Sequence, residues 1–273
     1  MISLDLGCGQ EKQAGTIGVD MVTLAPVDIA ANLWKYPLPF ADSCAESIYL
    51  NDVIEHIPST IPFMEELHRI CCNGARVYVR VVNWNTIYMP MDPTHVRPFH
   101  ENTFDFFGSR KGRNYYTHAR FEVVKVVKGW DYYWKRWTWG NERCLNFLGR
   151  HLNNVLIDLN FELKALKPEP ARAQAFASKF DTLRCPHCVA GEHRASGTDP
   201  GRLERVNDSW LACVETGCGR KYPVYDGLPI MMFAEAEKWR GTPMSNLPVP
   251  PPGNVVRAGP EEFPTVLRHD RVV

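Results

Sequence analysis

The chain has 273 residues, and its 31 Lys and Arg balance 31 Asp and Glu, so no global field draws it onto nucleic acid or an anionic membrane. A hydrophobic share of 45% suffices for one full core, and the length predicts a smaller module beside it. No run approaches the roughly 20 apolar residues of a membrane helix, and the N-terminal residues lack the charged and apolar regions of a secretion signal, which predicts a soluble, cytoplasmic protein with no membrane partner.

In chain order, residues 2–6, 16–20, 27–30 and 45–50 read as strands, 59–72 as a helix with apolar residues at helical spacing, and 75–82 as a fifth strand. The runs at 121–130 (FEVVKVVKGW) and 156–166 (LIDLNFELKAL) read as a late pair at an antiparallel edge. Near-continuous apolar strands alternating with helices predict a parallel sheet in an α/β domain over residues 1–167. A charged, proline-broken linker over 168–180 leads to a compact cysteine-bearing unit over 181–236. Residues 237–273 are proline-rich and read as a mobile tail.

The first strand ends in a Gly7-Cys8-Gly9 turn, with Asp5 and Asp20 at strand ends. Glycines let a backbone approach a nucleoside closely, and an acid at the neighbouring strand end can accept both ribose hydroxyls. Lys12 stands where a dinucleotide fingerprint needs its third glycine, which disfavours a nicotinamide cofactor, and no Gly-Lys-Ser/Thr of a P-loop is present. About seven residues separate turn and second strand, fewer than a crossover helix needs, so the first helix is a single turn or absent. For the turn alone, an ordinary tight connection is the alternative.

Taken together, LDLGCG, GVD, PLPFADSCAESIYLNDVIEHI and NGARVYVRV, in that order, resemble the class I S-adenosylmethionine-dependent methyltransferases over roughly residues 2–166. The resemblance implies a Rossmann-like, mostly parallel seven-stranded sheet. It also implies that Asp5, Leu6, Gly7 and Gly9 line the methionine part of S-adenosylmethionine, that Asp20 holds the ribose, and that Asn32 and Leu33 flank adenine. Asn51 would sit beside cofactor and acceptor, while Glu55 and His56 match the family's recurrent EHI and would shape the pocket. Glu11 replaces the usual third glycine of the loop.

Methyl transfer from a sulfonium is an in-line displacement, so the protein must position the acceptor and remove its proton if it has one. The segment MDPTHVRPFHENTFDFFG follows the fifth strand, carries Asp92, His95, Arg97 and His100, and resembles a segment of bacterial methyltransferases of this class. His95 is the first candidate for a catalytic base or polar contact; a structural hydrogen bond is its alternative. No NPPY-type stretch follows the fourth strand, which disfavours adenine or glutamine amide nitrogen as acceptor. GWDYYWKRWTWG at 129–140 interleaves aromatics with Lys135 and Arg136, fit either to stack a single-stranded nucleic acid or sugar, or to cover the late strands.

Cys185 and Cys188 form one close pair and Cys213 and Cys218 another, four soft ligands that suit tetrahedral zinc in a unit too small to be stable without help. Disulfides or a lost site are the alternatives. The run YPVYDGLPIMM resembles the end of the zinc-ribbon-like activator subunit of tRNA, ribosomal RNA and release-factor methyltransferases, a match over residues 181–233. That resemblance implies a fused activator that docks through the apolar run LPIMMF and makes a separate activator subunit unnecessary. The leading reading is a methyltransferase that uses S-adenosylmethionine, carries a structural zinc, and acts on a small metabolite, a sugar or a component of the translation machinery. The alternative is a non-catalytic scaffold whose zinc module binds nucleic acid or protein.

Overall fold

The computed structural model describes residues 2–23, 25–108, 116–167, 179–225 and 227–252. Its elements in chain order are β1 (Ile2–Leu6), β2 (Ile17–Asp20), β3 (Ile29–Ala30), β4 (Ala45–Asn51), α1 (Thr60–Ile70), β5 (Cys71–Val82), α2 (Tyr88–Met91), β6 (Phe121–Trp130), α3 (Tyr132–Trp137), α4 (Glu142–His151) and β7 (Leu156–Ala165). There follow α5 (Lys179–Thr182), α6 (Pro186–Val189), β8 (Leu203–Val206), β9 (Trp210–Cys213), β10 (Lys221–Tyr225), β11 (Leu228–Pro229) and α7 (Phe233–Lys238). The architecture is α/β. A mostly parallel seven-stranded sheet has the order β3-β2-β1-β4-β5-β7-β6, and a four-stranded sheet has the order β11-β10-β9-β8. The order 3-2-1-4-5 is that of doubly wound sheets, whose ligands bind beyond the carboxyl ends of the strands. No helix among the described residues is long and apolar enough to cross a membrane.

The chain groups into two units, Met1–Ala45 with Ala173–Val273, and Glu46–Arg172. In the first, β1, β2 and β3 pair in parallel, with Asp5 opposite Gly18 and Asp20 opposite Ala30. Only turns connect β1 to β2, because the connection is too short for a helix. The cysteine-bearing strands belong to this same unit. Ile230, just past β11, bridges Ala30 in parallel and Met231 N–H donates to the Ala30 carbonyl at 3.0 Å, so the smaller sheet is tied to β3. Cys8, Val27 and Ala30 pack with Leu228 and Ile230 in one buried cluster. The apolar run LPIMM is thus the part of the module that meets β3. Around it, Ala41 N–H donates to the Thr182 carbonyl at 3.0 Å and Arg194 pairs with Asp42 at 2.8 Å.

In the second unit, α1 buries Phe63, Met64, Leu67 and Ile70, one face at helical spacing. Strand β5 begins at Cys71, directly from α1 and four residues earlier than the sequence predicts, because Asn73 and Gly74 lie within the strand and do not end it. Strand β7 runs antiparallel to both β5 and β6 and sets Val77, Val79 and Val81 opposite Leu163, Phe161 and Leu159. Phe161 also meets Phe104 edge-to-face at 4.8 Å.

Of the expected linker and tail, residues 168–178 and 253–273 lie outside the described residues. Where the sequence predicts a mobile tail, the part up to Pro252 is held in place. The Trp210 indole N–H donates to the Pro248 carbonyl at 2.8 Å, and the Tyr225 hydroxyl to that of Pro252 at 2.9 Å. A proline-rich segment has free carbonyls to offer, and the aromatic donors of β9 and β10 use them.

Candidate functional site

The glycine turn is built on left-handed backbone, with Gly7 at φ +75° and Gly9 at φ +49°. The Gly7 N–H donates to the Val19 carbonyl at 2.7 Å, which folds the turn back over β2. A Cβ at Gly9 would meet nothing within 4 Å, so the turn faces open space. Asp20 closes it from below: one carboxylate oxygen accepts the Gly9 N–H at 2.9 Å and the other the Val22 N–H at 3.0 Å. A carboxylate has about four lone-pair positions, so two remain for a ligand.

Asp5 is buried and accepts the Gln13 N–H at 2.7 Å. Burial pushes its carboxyl above the ordinary value, while that N–H and nearby Lys12 pull the other way. Leu6 is fully buried, so it can offer the turn only its backbone. Burial and then Asp20, Asp5 and Asp28 push the Cys8 thiol up to about 12, which leaves it a neutral packing group. Asn32 is half-buried, with its side-chain oxygen taken by the Trp34 N–H at 2.8 Å; Leu33 is buried. Asp28, which no motif marks, accepts both the Gly18 N–H and the Lys12 ammonium at 2.8 Å. The only signal was its place beside β3.

In the second unit a cavity of about 710 Å³ is lined by Asp52, Glu55, His56, Arg80, Asp92, His95 and Asp158, among others. Glu55 and His56 follow β4 on a single 3-10 turn. The Val96 and Arg97 N–H groups both donate to the Glu55 carbonyl and so bring the later loop against them. Burial, reinforced by the Asp52 charge, pushes the Glu55 carboxyl up to about 7. The His56 and His95 rings lie 4.7 Å apart.

Of the four polar residues expected together, Asp92 and His95 line this cavity. Arg97 is turned away, donating to the Pro58 carbonyl at 2.8 Å and 3.1 Å, and His100 lines a separate hollow with Glu101 and Lys128. Asn51 lines another depression, with Tyr78 and Lys125, and Asp52 rather than Asn51 faces the acidic cavity. In the aromatic stretch, Tyr132, Tyr133, Trp137 and Trp139 are exposed, with Trp137 edge-on to Trp134; Trp130 and Trp134 are half-buried.

The sulfurs of Cys185, Cys188, Cys213 and Cys218 lie within 4.8 Å of one another, all buried and none in a disulfide. This thiol set fits a tetrahedral metal ion. The first pair is set by α6, with Cys185 just before it and Cys188 within it, and the Cys188 N–H donates to the Cys185 carbonyl at 3.0 Å. The wider second pair is closed by Gly217 and Gly219 at φ +81° and +66°, and a Cβ on Gly219 would meet the Arg240 carbonyl oxygen at 2.9 Å. Tyr222 and Arg220, which the sequence reading did not single out, reach the sulfurs: the Tyr222 hydroxyl is 3.1 Å from Cys185 and the Arg220 guanidinium 3.6 Å from Cys218. Hydrogen bonds from Cys185 and Cys213, then from Arg220, hold the Cys218 thiol well below its ordinary value. His187 and His193 stack on each other at 4.4 Å and are not in the four-sulfur set.

The sequence matches no family model and no curated protein. Similar solved structures include a SAM-dependent methyltransferase from Archaeoglobus fulgidus, 19% identical over 59% of this chain and 85% of that one, with a TM-score of 0.39. An S-adenosylmethionine-dependent methyltransferase from Mesorhizobium loti is 14% identical over 60% and 90%, with a TM-score of 0.40. The geranyl diphosphate C-methyltransferase of Streptomyces coelicolor A3(2), in complex with S-adenosyl-L-homocysteine, is 11% identical over 61% and 70%, with a TM-score of 0.42.

Proposed function

We propose that this chain is an S-adenosylmethionine-dependent methyltransferase. The observation that supports the reading is the glycine turn after β1, open above Gly9 and latched below by Asp20, whose carboxylate keeps acceptor capacity for vicinal hydroxyls. Asp5, Leu6, Gly7 and Gly9 are assigned to the methionine side of the cofactor, Asp20 to the ribose, Asn32 and Leu33 to adenine, and Asn51 to the cofactor's surroundings. Leu6 and Leu33 contribute through backbone and packing, since both are buried.

His95 is assigned to the acceptor. Its Nδ1 is 3.1 Å from the Met89 carbonyl oxygen and donates there, which leaves Nε2, 3.9 Å from Asp92 Oδ2, as the nitrogen for an acceptor. The acceptor is a small metabolite, a sugar or a component of the translation machinery, and the compartment is the cytoplasm.

Zinc is assigned to Cys185, Cys188, Cys213 and Cys218. When bound, it supplies structural cross-linking, and the residues of 181–236 act as an internal activator for the domain formed by 1–167. The contact of Ile230 and Leu228 with Cys8 supports this, because it lets the module bear on the glycine turn itself. Calorimetric titration with S-adenosylmethionine, S-adenosylhomocysteine and NAD, with zinc measured on the same sample, tests the reading. Binding of the first two with stoichiometric zinc is expected. A folded sample that binds none of the three overturns it in favour of a non-catalytic scaffold.

A further inference from the structure

A second cluster of metal-ligating groups lies in the unit formed by residues 46–172. The side-chain donor atoms of Glu55, His56 and His95 lie within 4.8 Å of one another at the acidic cavity. Glu55 is completely buried, and among the described residues neither carboxylate oxygen has a partner at hydrogen-bond distance, although its own backbone N–H and that of Val82 favour the charged form. A buried carboxylate without a donor at that distance is rare and calls for a partner the protein chain does not supply.

The two imidazoles are oriented to supply the rest. Thr94 Oγ1 lies 2.6 Å from Asp92 Oδ1 and spends its proton there, so it accepts from His56 Nδ1 at 2.9 Å. His95 Nδ1–H donates to the Met89 carbonyl at 3.1 Å. In both rings Nδ1 is therefore the donor nitrogen, which leaves Nε2 as the nitrogen for a metal. Metal-binding histidines are oriented in this way, with the second nitrogen donating to a carbonyl or a carboxylate-linked group. The surrounding charge agrees. Asp52, Glu55, Asp92 and Asp158 line the cavity against one guanidinium, Arg80, which is already paired with Asp52 at 3.2 Å.

We propose that Glu55, His56 and His95 bind a divalent first-row transition-metal ion, distinct from the four-cysteine centre, with coordination positions open to the cavity for an oxygen-donor ligand. Two imidazoles and one carboxylate leave such positions free, unlike a closed four-sulfur site. Binding the ion needs neither cofactor nor acceptor, but it takes the His95 Nε2 lone pair that the proposed function assigns to the acceptor, so with the ion bound His95 is a ligand and not a base. Asp92 and Thr94 are positioning residues that act through His56.

The test is a cobalt(II) titration of the full-length, zinc-loaded protein, followed by visible absorption. One further cobalt per chain is expected, with weak d–d bands and without the intense thiolate-to-cobalt charge transfer of a cysteine site. Glu55→Gln and His95→Ala should each weaken it by at least about a hundredfold, and Thr94→Val by about tenfold. Cys185→Ser should leave these bands in place. The proposal fails if the wild-type protein takes up cobalt only with thiolate bands or not at all, a result that needs no variant to fold. It fails equally if Glu55→Gln and His95→Ala bind cobalt as the wild type does.

Discussion

The carboxylate of Asp20 holds the Gly9 N–H at 2.9 Å while its other oxygen holds the Val22 N–H, so one side chain ties the turn after β1 to the turn after β2. Asp20→Ala removes both acceptors together with the group assigned to the ribose. Stability is expected to fall by about 1–3 kcal/mol, and S-adenosylhomocysteine affinity by at least about tenfold. Urea denaturation and calorimetry on the same variant separate the two effects. Unchanged affinity in a folded variant would remove Asp20 from the ribose.

Because Leu228 and Ile230 pack against Cys8, damage to the metal module should be felt at the glycine turn. Cys185→Ser is expected to abolish stoichiometric zinc, lower the melting temperature and weaken S-adenosylhomocysteine binding. Leu228→Ala leaves all four cysteines in place and should cost about 2–4 kcal/mol through the cavity it opens. Full zinc in Cys185→Ser, measured by atomic emission, would take that residue out of the ligand set.

His68 lies buried on α1 with Nε2 2.9 Å from the Leu166 carbonyl oxygen. Burial pushes its pKa below the ordinary value, against the pull of that carbonyl. A base whose folded pKa is depressed contributes stability above its unfolded value of about 6.5, and that contribution is lost as pH falls through the folded value. His68→Gln keeps an N–H for Leu166 and cannot be charged. Urea midpoints across this range should fall less steeply with acid in the variant than in the wild type; parallel slopes would refute the role.

Trp139 is 94% exposed and Tyr133 77% exposed. Replacing either with Ala should change stability by no more than about 0.5 kcal/mol, because neither packs on the late strands. A thermal-melt loss well beyond that would mean the aromatic stretch covers the sheet after all.

Strands β1, β4, β6 and β7 were legible because their apolar runs are long and bounded by turn residues, and the missing first helix was legible because so few residues follow Gly9. The start of β5 was not. Asn73-Gly74 is a turn signal read locally, but the strand continues through it, with Cys71 and Cys72 buried ahead of it and pairing with β7 from Arg76 onward. The four cysteines were visible from spacing, whereas Tyr222 and Arg220 reach them from a strand and loop whose register no spacing encodes. Glu55 and His56 were visible as a motif and His95 as a candidate. Their convergence depends on two backbone hydrogen bonds to one carbonyl, across a gap of about 40 residues that periodicity does not bridge.

Strand β3 is two residues long, and the residue that bridges it, Ile230, comes 200 positions after Ala30. At about 5–20 residues per second on the ribosome, that edge waits roughly 10–40 s for its partner. Open strand edges invite pairing with other chains, and a strand of two residues presents little to pair with. The brevity of β3 thus protects the nascent chain during the interval before its own C-terminal module arrives to cover it.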